Sequence, residues 1–219
     1  CVNDEVAVKI ALEAWPDFHR FQIEIVGFPA MDKYATLDVS AIASQARRKL
    51  SLTDLDTPII LYGGGGRCTA HSLNELITVL NDIGQEIYLI PRFHPRMDKY
   101  APEEVGPCQK IIRGFKSGTL IADSSSCDSP SLIALASTTV SMFSTMLIEA
   151  AVLRKQNVAI LYPEAGRAEL LKSADTIKEL PLVEMGCCVK AENRAQLRSI
   201  MKLALENNLG LEEAQKKNF

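Results

Sequence analysis

The run Phe143-Ser-Thr-Met-Leu-Ile-Glu-Ala150 holds the sharpest chemical pattern in the chain. From Thr145 onward the residues are apolar nearly all round (Met146, Leu147, Ile148, Ala150, Ala151, Val152, Leu153), so the spacing predicts a buried helix over 144–155. Glu149 alone breaks the pattern, and an unpaired buried carboxylate is costly enough that it needs a partner or a cleft. Ser144 and Thr145 stand at the expected amino end, where backbone N–H groups and the helix dipole attract anions. Glu149 lies on the same face as Thr145, about 6 Å further along the axis. A phosphate at the helix start and a diol one turn deeper match that spacing, and a ribose 5′-phosphate has this layout. The alternative is that Ser144 merely caps the helix and Glu149 pairs with Arg154 or Lys155.

Two further segments carry chemistry. Arg92-Phe-His-Pro-Arg96 sets His94 between two arginines, where it could donate to a phosphate or a sugar hydroxyl or simply lie on the surface. Gly63 to Gly66 could bring backbone close to a phosphate, or could form a tight strand-to-helix turn. They are not a Walker A loop, because no Gly-Lys-Ser/Thr follows. No Gly-x-Ser-x-Gly elbow is present, and no nucleophilic triad can be assembled. His19 and His71 read as exposed helix-end residues, and Glu103 with Glu104 as a solvated face. The six cysteines form no Cys-x-x-Cys, and with three scattered histidines they give no zinc-ligand spacing, so no metal is expected and the thiols read as reduced cytoplasmic residues packed as small apolar groups.

The elements that must position these residues alternate between strand and helix, which predicts a parallel sheet covered by helices. Strands are expected at 21–27, 57–66, 86–91 (stopped by Pro91), 117–123, 138–143 and 157–163, with a weak one at Cys187–Ala191. Ser72 and Glu75 read as a capping box ahead of the stripe Leu73, Leu76, Ile77, Leu80. Ser129 reads as the cap of a short helix with Pro130 in its first position, and Asn193 as the cap of an amphipathic helix carrying Leu197, Ile200, Met201, Ala204 and Leu205. In open α/β sheets ligands bind at the carboxyl ends of the strands, where the glycine run, His94 and the Ser144 segment all fall.

The 219 residues allow one domain or one domain plus part of another. A 47% apolar share, 23% charged residues and a formal charge of −3 fit a globular protein and argue against a basic nucleic-acid-binding domain. No apolar run reaches the roughly 18–20 residues of a membrane span, and a cytoplasmic location is expected. The chain opens on Cys1, inside an amphipathic run, and is expected to be a piece of a longer protein: residues 1–50 a linker and the remnant of a missing N-terminal Rossmann-like domain, residues 51–219 a Rossmann-like domain. A laid-bare interdomain face could pair with a second copy of the chain.

Taken together, Gly27-x-Pro29-x-x-Asp32, the glycine run after Tyr62, His94-Pro95 and the stretch from Ala136 to Pro163 resemble, in order and spacing, the C-terminal half of GT-B-type glycosyltransferases and related nucleotide-sugar enzymes. Relatives of that layout include the non-hydrolysing UDP-N-acetylglucosamine 2-epimerases and the glycerophosphotransferases of teichoic acid synthesis. The resemblance implies a UDP- or CMP/CDP-linked donor as substrate rather than a resident cofactor. Ser144 and Thr145 would bind the nucleotide phosphates, Glu149 the ribose hydroxyls, His94 the phosphate or transferred group, and Gly64 and Gly65 would approach the diphosphate. The base would lie against the backbone of 122–125. The leaving diphosphate would be stabilised by helix dipole and backbone N–H groups rather than by a cation, in keeping with the expectation that no acidic metal pair such as Asp-x-Asp is present. The departures are Arg154 and Lys155-Gln156 where Gly and Lys-Pro are usual, the absence of the epimerase Asp-Ser-Gly-Gly run, and the absence of a complete N-terminal domain, which in such enzymes holds the acceptor and usually the catalytic base. This piece alone is therefore expected to bind nucleotide weakly and turn over nothing. An epimerase-like enzyme and a non-catalytic Rossmann-like interaction module are the alternatives.

Overall fold

The computed structural model describes residues 1–162, 168 and 179–219. Among these, six strands form one all-parallel sheet in the order β3-β2-β1-β4-β5-β6. The strands are β1 (Ile59–Gly64), β2 (Ile87–Phe93), β3 (Gly118–Leu120), β4 (Thr138–Ser141), β5 (Gln156–Ile160) and β6 (Val189–Ala191). The chain fills one side of the sheet with β1 to β3 and then crosses over to build β4 to β6. The reversal therefore lies between β1 and β4, whose registers align Leu61 with Thr139 and Gly63 with Ser141.

Helices cover both faces, which is why Ile59–Tyr62 of β1 and Val158–Ile160 of β5 are continuous apolar runs rather than alternating ones. On one face α3 (Thr69–Ile83), α5 (Pro102–Ile112) and α9 (Arg194–Leu205) pack on Ile60, Tyr62, Leu89, Val140 and Val158. On the other, α2 (Val39–Lys49), α6 (Ser129–Leu135) and α7 (Met146–Val152) pack on Ile59, Leu61 and Ile90. Adjacent residues of β1 thus point into opposite cores, as the two-residue repeat of a strand requires. Residues 34–52 join the second core through Tyr34, Ala46 and Leu52. The short helices α4 (Met97–Tyr100) and α8 (Pro181–Glu184) and the terminal α10 (Glu212–Asn218) complete the coat. Helix α1 (Glu5–Ala14) builds a small cluster of its own, Val8 and Ala11 against Ile23.

Several boundaries differ from the sequence expectation. Residues 21–27 are not a strand: Arg20–Gln22 is a 3-10 turn, and Ile25 makes only a single parallel bridge to Val2. Of the period-2 apolar set only Ile23 is buried, so no sheet face holds the segment extended. Pro91 does not stop β2. The Tyr88 amide points to β1, so position 91 turns towards β3, which has already ended at Leu120, and no ladder bond is lost. Ser72 and Glu75 are not a capping box, because α3 starts a turn earlier. Ser72 is buried inside it beside Tyr62, and Glu75 reaches across to Arg194. Asp128, not Ser129, caps α6, accepting from the Ser131 amide at 2.9 Å. Asn193 caps α9 as expected, accepting from the Gln196 amide at 2.9 Å. Pro163, the expected end of the fifth strand, lies outside the described residues.

Candidate functional site

At the reversal point the carboxyl ends of β1 and β4 splay around a cleft of about 350 Å³. Its walls include Gly63–Arg67 at the end of β1 and beyond, His94 after β2, and Ser141–Thr145 at the end of β4 and beyond. Five of the six residues singled out from sequence, Gly64, Gly65, His94, Ser144 and Thr145, meet there. This is the place where open α/β sheets bind ligands.

The glycines are spent largely on the chain's own packing. A Cβ on Gly64 would lie 2.5 Å from Thr69 Cγ2, and one on Gly65 only 2.2 Å from His94 Cβ. The Gly65 N–H donates to Thr69 Oγ1 (3.0 Å), and the His94 N–H donates to the Gly64 carbonyl (2.7 Å), which staples the two loops together. Gly66 has open space above it. Arg67 beside it is exposed and lines the same cleft, making it the nearest cation to the strand ends on this loop. Sequence reasoning passed over Arg67, since an arginine after four glycines carries no motif of its own.

His94 is oriented. Its Nδ1 accepts the Arg96 N–H at 3.1 Å, which leaves Nε2 as the ring nitrogen that can donate. Its ring stands 6.0 Å from that of Tyr100.

On the β4 side, Ser141 Oγ donates to the Gly63 carbonyl (2.6 Å) and accepts the Ser144 amide (3.3 Å), tying the strand ends together. Ser144 Oγ accepts the Met146 amide (3.2 Å) in the turn that leads into α7, whose N-cap position is Thr145, and its hydroxyl proton stays available to an acceptor in the cleft. Thr145 is exposed at the rim. The helix itself runs only from Met146 to Val152, shorter than the expected 144–155. Hydroxyls and Arg67 around the cleft, more than a long helix dipole, therefore make it receptive to anions.

Glu149 lies one turn deeper and does not line the cleft floor. It forms no ion pair with Arg154 or Lys155 among the described residues, and its Oε2 is buried without a hydrogen bond. The Tyr34 hydroxyl, also buried without a hydrogen bond, lies within its electrostatic reach.

Two acidic features need correction. Glu104 is not a solvated residue: its two carboxylate oxygens accept the Cys68 and Ala70 amides, each at 2.7 Å, and so cap α3 from a neighbouring element. An Asp-x-Asp pair does occur, at Asp54 and Asp56. It sits in the turn entering β1, at the opposite end of the sheet from the cleft, where Asp54 accepts the Asp56 amide (2.9 Å) and the Thr57 hydroxyl. Among the described residues no three His, Cys, Asp or Glu side chains gather as a metal site, and no helix is long and apolar enough to cross a membrane.

No protein-family model and no curated protein matches the sequence. Solved structures do match. The wall teichoic acid polymerase TagF aligns over 99% of this chain and 51% of its own, at 14% identity and a TM-score of 0.60. A UDP-GlcNAc 2-epimerase from Neisseria meningitidis, bound to UDP-GlcNAc, aligns over 92% and 55%, at 13% identity and a TM-score of 0.60. A glycosyltransferase from Rickettsia africae aligns over 96% and 59%, at 14% identity and a TM-score of 0.50. The chain thus spans about half the length of the solved structures it matches. The likeness shows the fold, a Rossmann-like parallel sheet flanked by helices, the α/β architecture of one half of a GT-B fold.

Proposed function

We propose that this domain binds a nucleotide-activated donor and forms the donor half of a GT-B-type transferase that moves a sugar or related group, the acceptor site and catalytic base belonging to a second domain. The observation that carries the reading is the cleft at the β1–β4 reversal, lined together by Ser144, Thr145, His94 and Arg67, with Glu149, whose buried Oε2 has no hydrogen bond, one turn deeper. Ser144, Thr145 and Arg67 hold the phosphates, with Gly64 to Gly66 as the floor. His94 donates to the distal phosphate or the transferred group. Glu149 accepts from the ribose hydroxyls. As the bond to the donor breaks, negative charge grows on the leaving phosphate, and donors already aimed there stabilise it without reorganising. The nucleobase rests against 122–125, where the Ser124 carbonyl is held by the Arg92 guanidinium at 3.3 Å.

Calorimetric titration with UDP, CDP and CMP tests this. Binding is expected for at least one of them, weakened about tenfold in Ser144→Ala, which loses a hydrogen bond to a charged phosphate, and in Glu149→Gln, which loses the charge of the group that accepts from the ribose hydroxyls. Equal affinity in the wild type and both variants would contradict the assignment. The equal fold likeness to the epimerase keeps a nucleotide-sugar epimerase as the second reading. Conversion of UDP-N-acetylglucosamine without any acceptor, by a longer protein containing this domain, would favour it.

A further inference from the structure

Two of the buried polar side-chain atoms that lack a hydrogen bond belong to Tyr34 and Glu149, which come from distant parts of the sequence; the 3-10 segment that ends at Tyr34 packs against α7, the helix that carries Glu149. Tyr34 ends the 3-10 segment Pro29–Tyr34 and is only 4% exposed. It shares a core cluster with Met146, Ala150 and Leu153 around α7, which fixes its ring against the helix that carries Glu149. Lys33 Nζ stands 5.0 Å from the ring centroid, on the ring rather than on the carboxylate. A phenylalanine would satisfy every one of these apolar contacts, so a hydroxyl buried here calls for a polar reason.

We propose, resting on the donor-site reading above, that Tyr34 is a positioning residue: its hydroxyl holds Glu149 Oε2, so that Oε1 is presented to the ribose diol in a fixed orientation. Leaving both atoms unpaired would cost each its full desolvation, whereas a rotation of the phenolic O–H turns the two into one charge-assisted bond. The phenol keeps its proton for this task. Burial first, and then the Glu149 carboxylate beside it, push its ionisation well above the ordinary tyrosine value. Glu149 stays partly exposed overall, which leaves its second oxygen for a ligand. A glutamate free to rotate would have to be ordered on binding, and the anchor removes that cost in advance. The same contact ties the segment 29–34 to the proposed site, a role that its Gly-x-Pro-x-x-Asp pattern does not announce.

Tyr34→Phe removes one oxygen and keeps the packing. The affinities of CDP and UDP and of their 2′-deoxy counterparts are measured for the wild type, Tyr34→Phe, Glu149→Gln and the double variant. The wild type is expected to prefer the ribose forms, and Tyr34→Phe to shrink that preference about fivefold while binding the deoxy forms as before. The double variant is expected to discriminate no less than Glu149→Gln alone, because the hydroxyl acts only through the carboxylate. An unchanged ribose preference in Tyr34→Phe, or a parallel loss for ribose and deoxyribose nucleotides, overturns the inference while leaving the donor-site reading standing. Absence of all nucleotide binding by the wild type overturns that reading and this inference with it.

Discussion

Gly65 and Gly66 are neighbours with opposite surroundings, and the contrast separates what serves the fold from what faces the cleft. A methyl on Gly65 would strike the Cβ and backbone nitrogen of His94, atoms the staple to Gly64 prevents from retreating. Gly65→Ala is expected to cost about 1–3 kcal/mol by overpacking and Gly66→Ala to change stability by less than about 0.5 kcal/mol. Urea denaturation of the two variants checks this, and equal costs would show that the loop packs differently. The residue scale was also where sequence was most informative about chemistry and least about partners. Ser144, Thr145 and His94 could be picked out because each interrupts an apolar or loop pattern. Glu104 and Tyr34 could not, because what distinguishes them is a contact with residues more than thirty positions or a whole domain away.

Among elements, the buried parallel strands were legible because covering both faces forces continuous apolar runs, as in Ile59 to Tyr62 and Val158 to Ile160. Segment 21–27 mimicked an alternating strand but has no sheet to join, and Pro102 and Pro107 hid α5, where Pro102 fits the first turn and Pro107 is carried inside the helix. The start of α3 depends on tertiary partners in the same way. Glu104→Ala should lower stability by about 1–2 kcal/mol and speed amide exchange at Cys68 and Ala70 first, with exposed Glu103→Ala as a near-neutral control. Exchange that rises uniformly across α3 would argue against a local cap. Further along the same helix, the Arg194 guanidinium grips Glu75 through two bonds of 2.6 and 2.8 Å and holds its carboxyl below the ordinary value of 4.5. A depressed folded-state value stabilises above the unfolded one and is lost as pH falls through it. Glu75→Gln is therefore expected to lower Tm by about 2 °C at pH 7, the size of a surface pair whose arginine is solvent-exposed, with the gap closing towards pH 3. A gap that persists unchanged at pH 3 would assign Glu75 a packing role instead.

For the whole molecule, the burial pattern fixes which thiols can react. Cys108 and Cys188 are buried and pushed up to about 12 by desolvation, and Cys127 and Cys187 are buried as well, while Cys1 is exposed. Alkylation at pH 8 followed by intact mass measurement should label Cys1 readily and these four only after unfolding. Rapid native labelling of Cys108 or Cys188 would mean the sheet is not covered as described. Trp15, Phe18, Phe21 and Val26 leave the N-terminal region with exposed apolar side chains. The central claim, that the β1–β4 cleft receives a nucleotide with phosphates at Ser144 and ribose at Glu149, is tested most directly by following backbone amide resonances during titration with CDP, UDP and CMP. Shifts are expected to concentrate at Gly66, Arg67, Ser144, Thr145 and Glu149 and to saturate together. Resonances of these residues that stay in place up to millimolar nucleotide, or shifts confined to the opposite end of the sheet around Asp54 and Asp56, would contradict it.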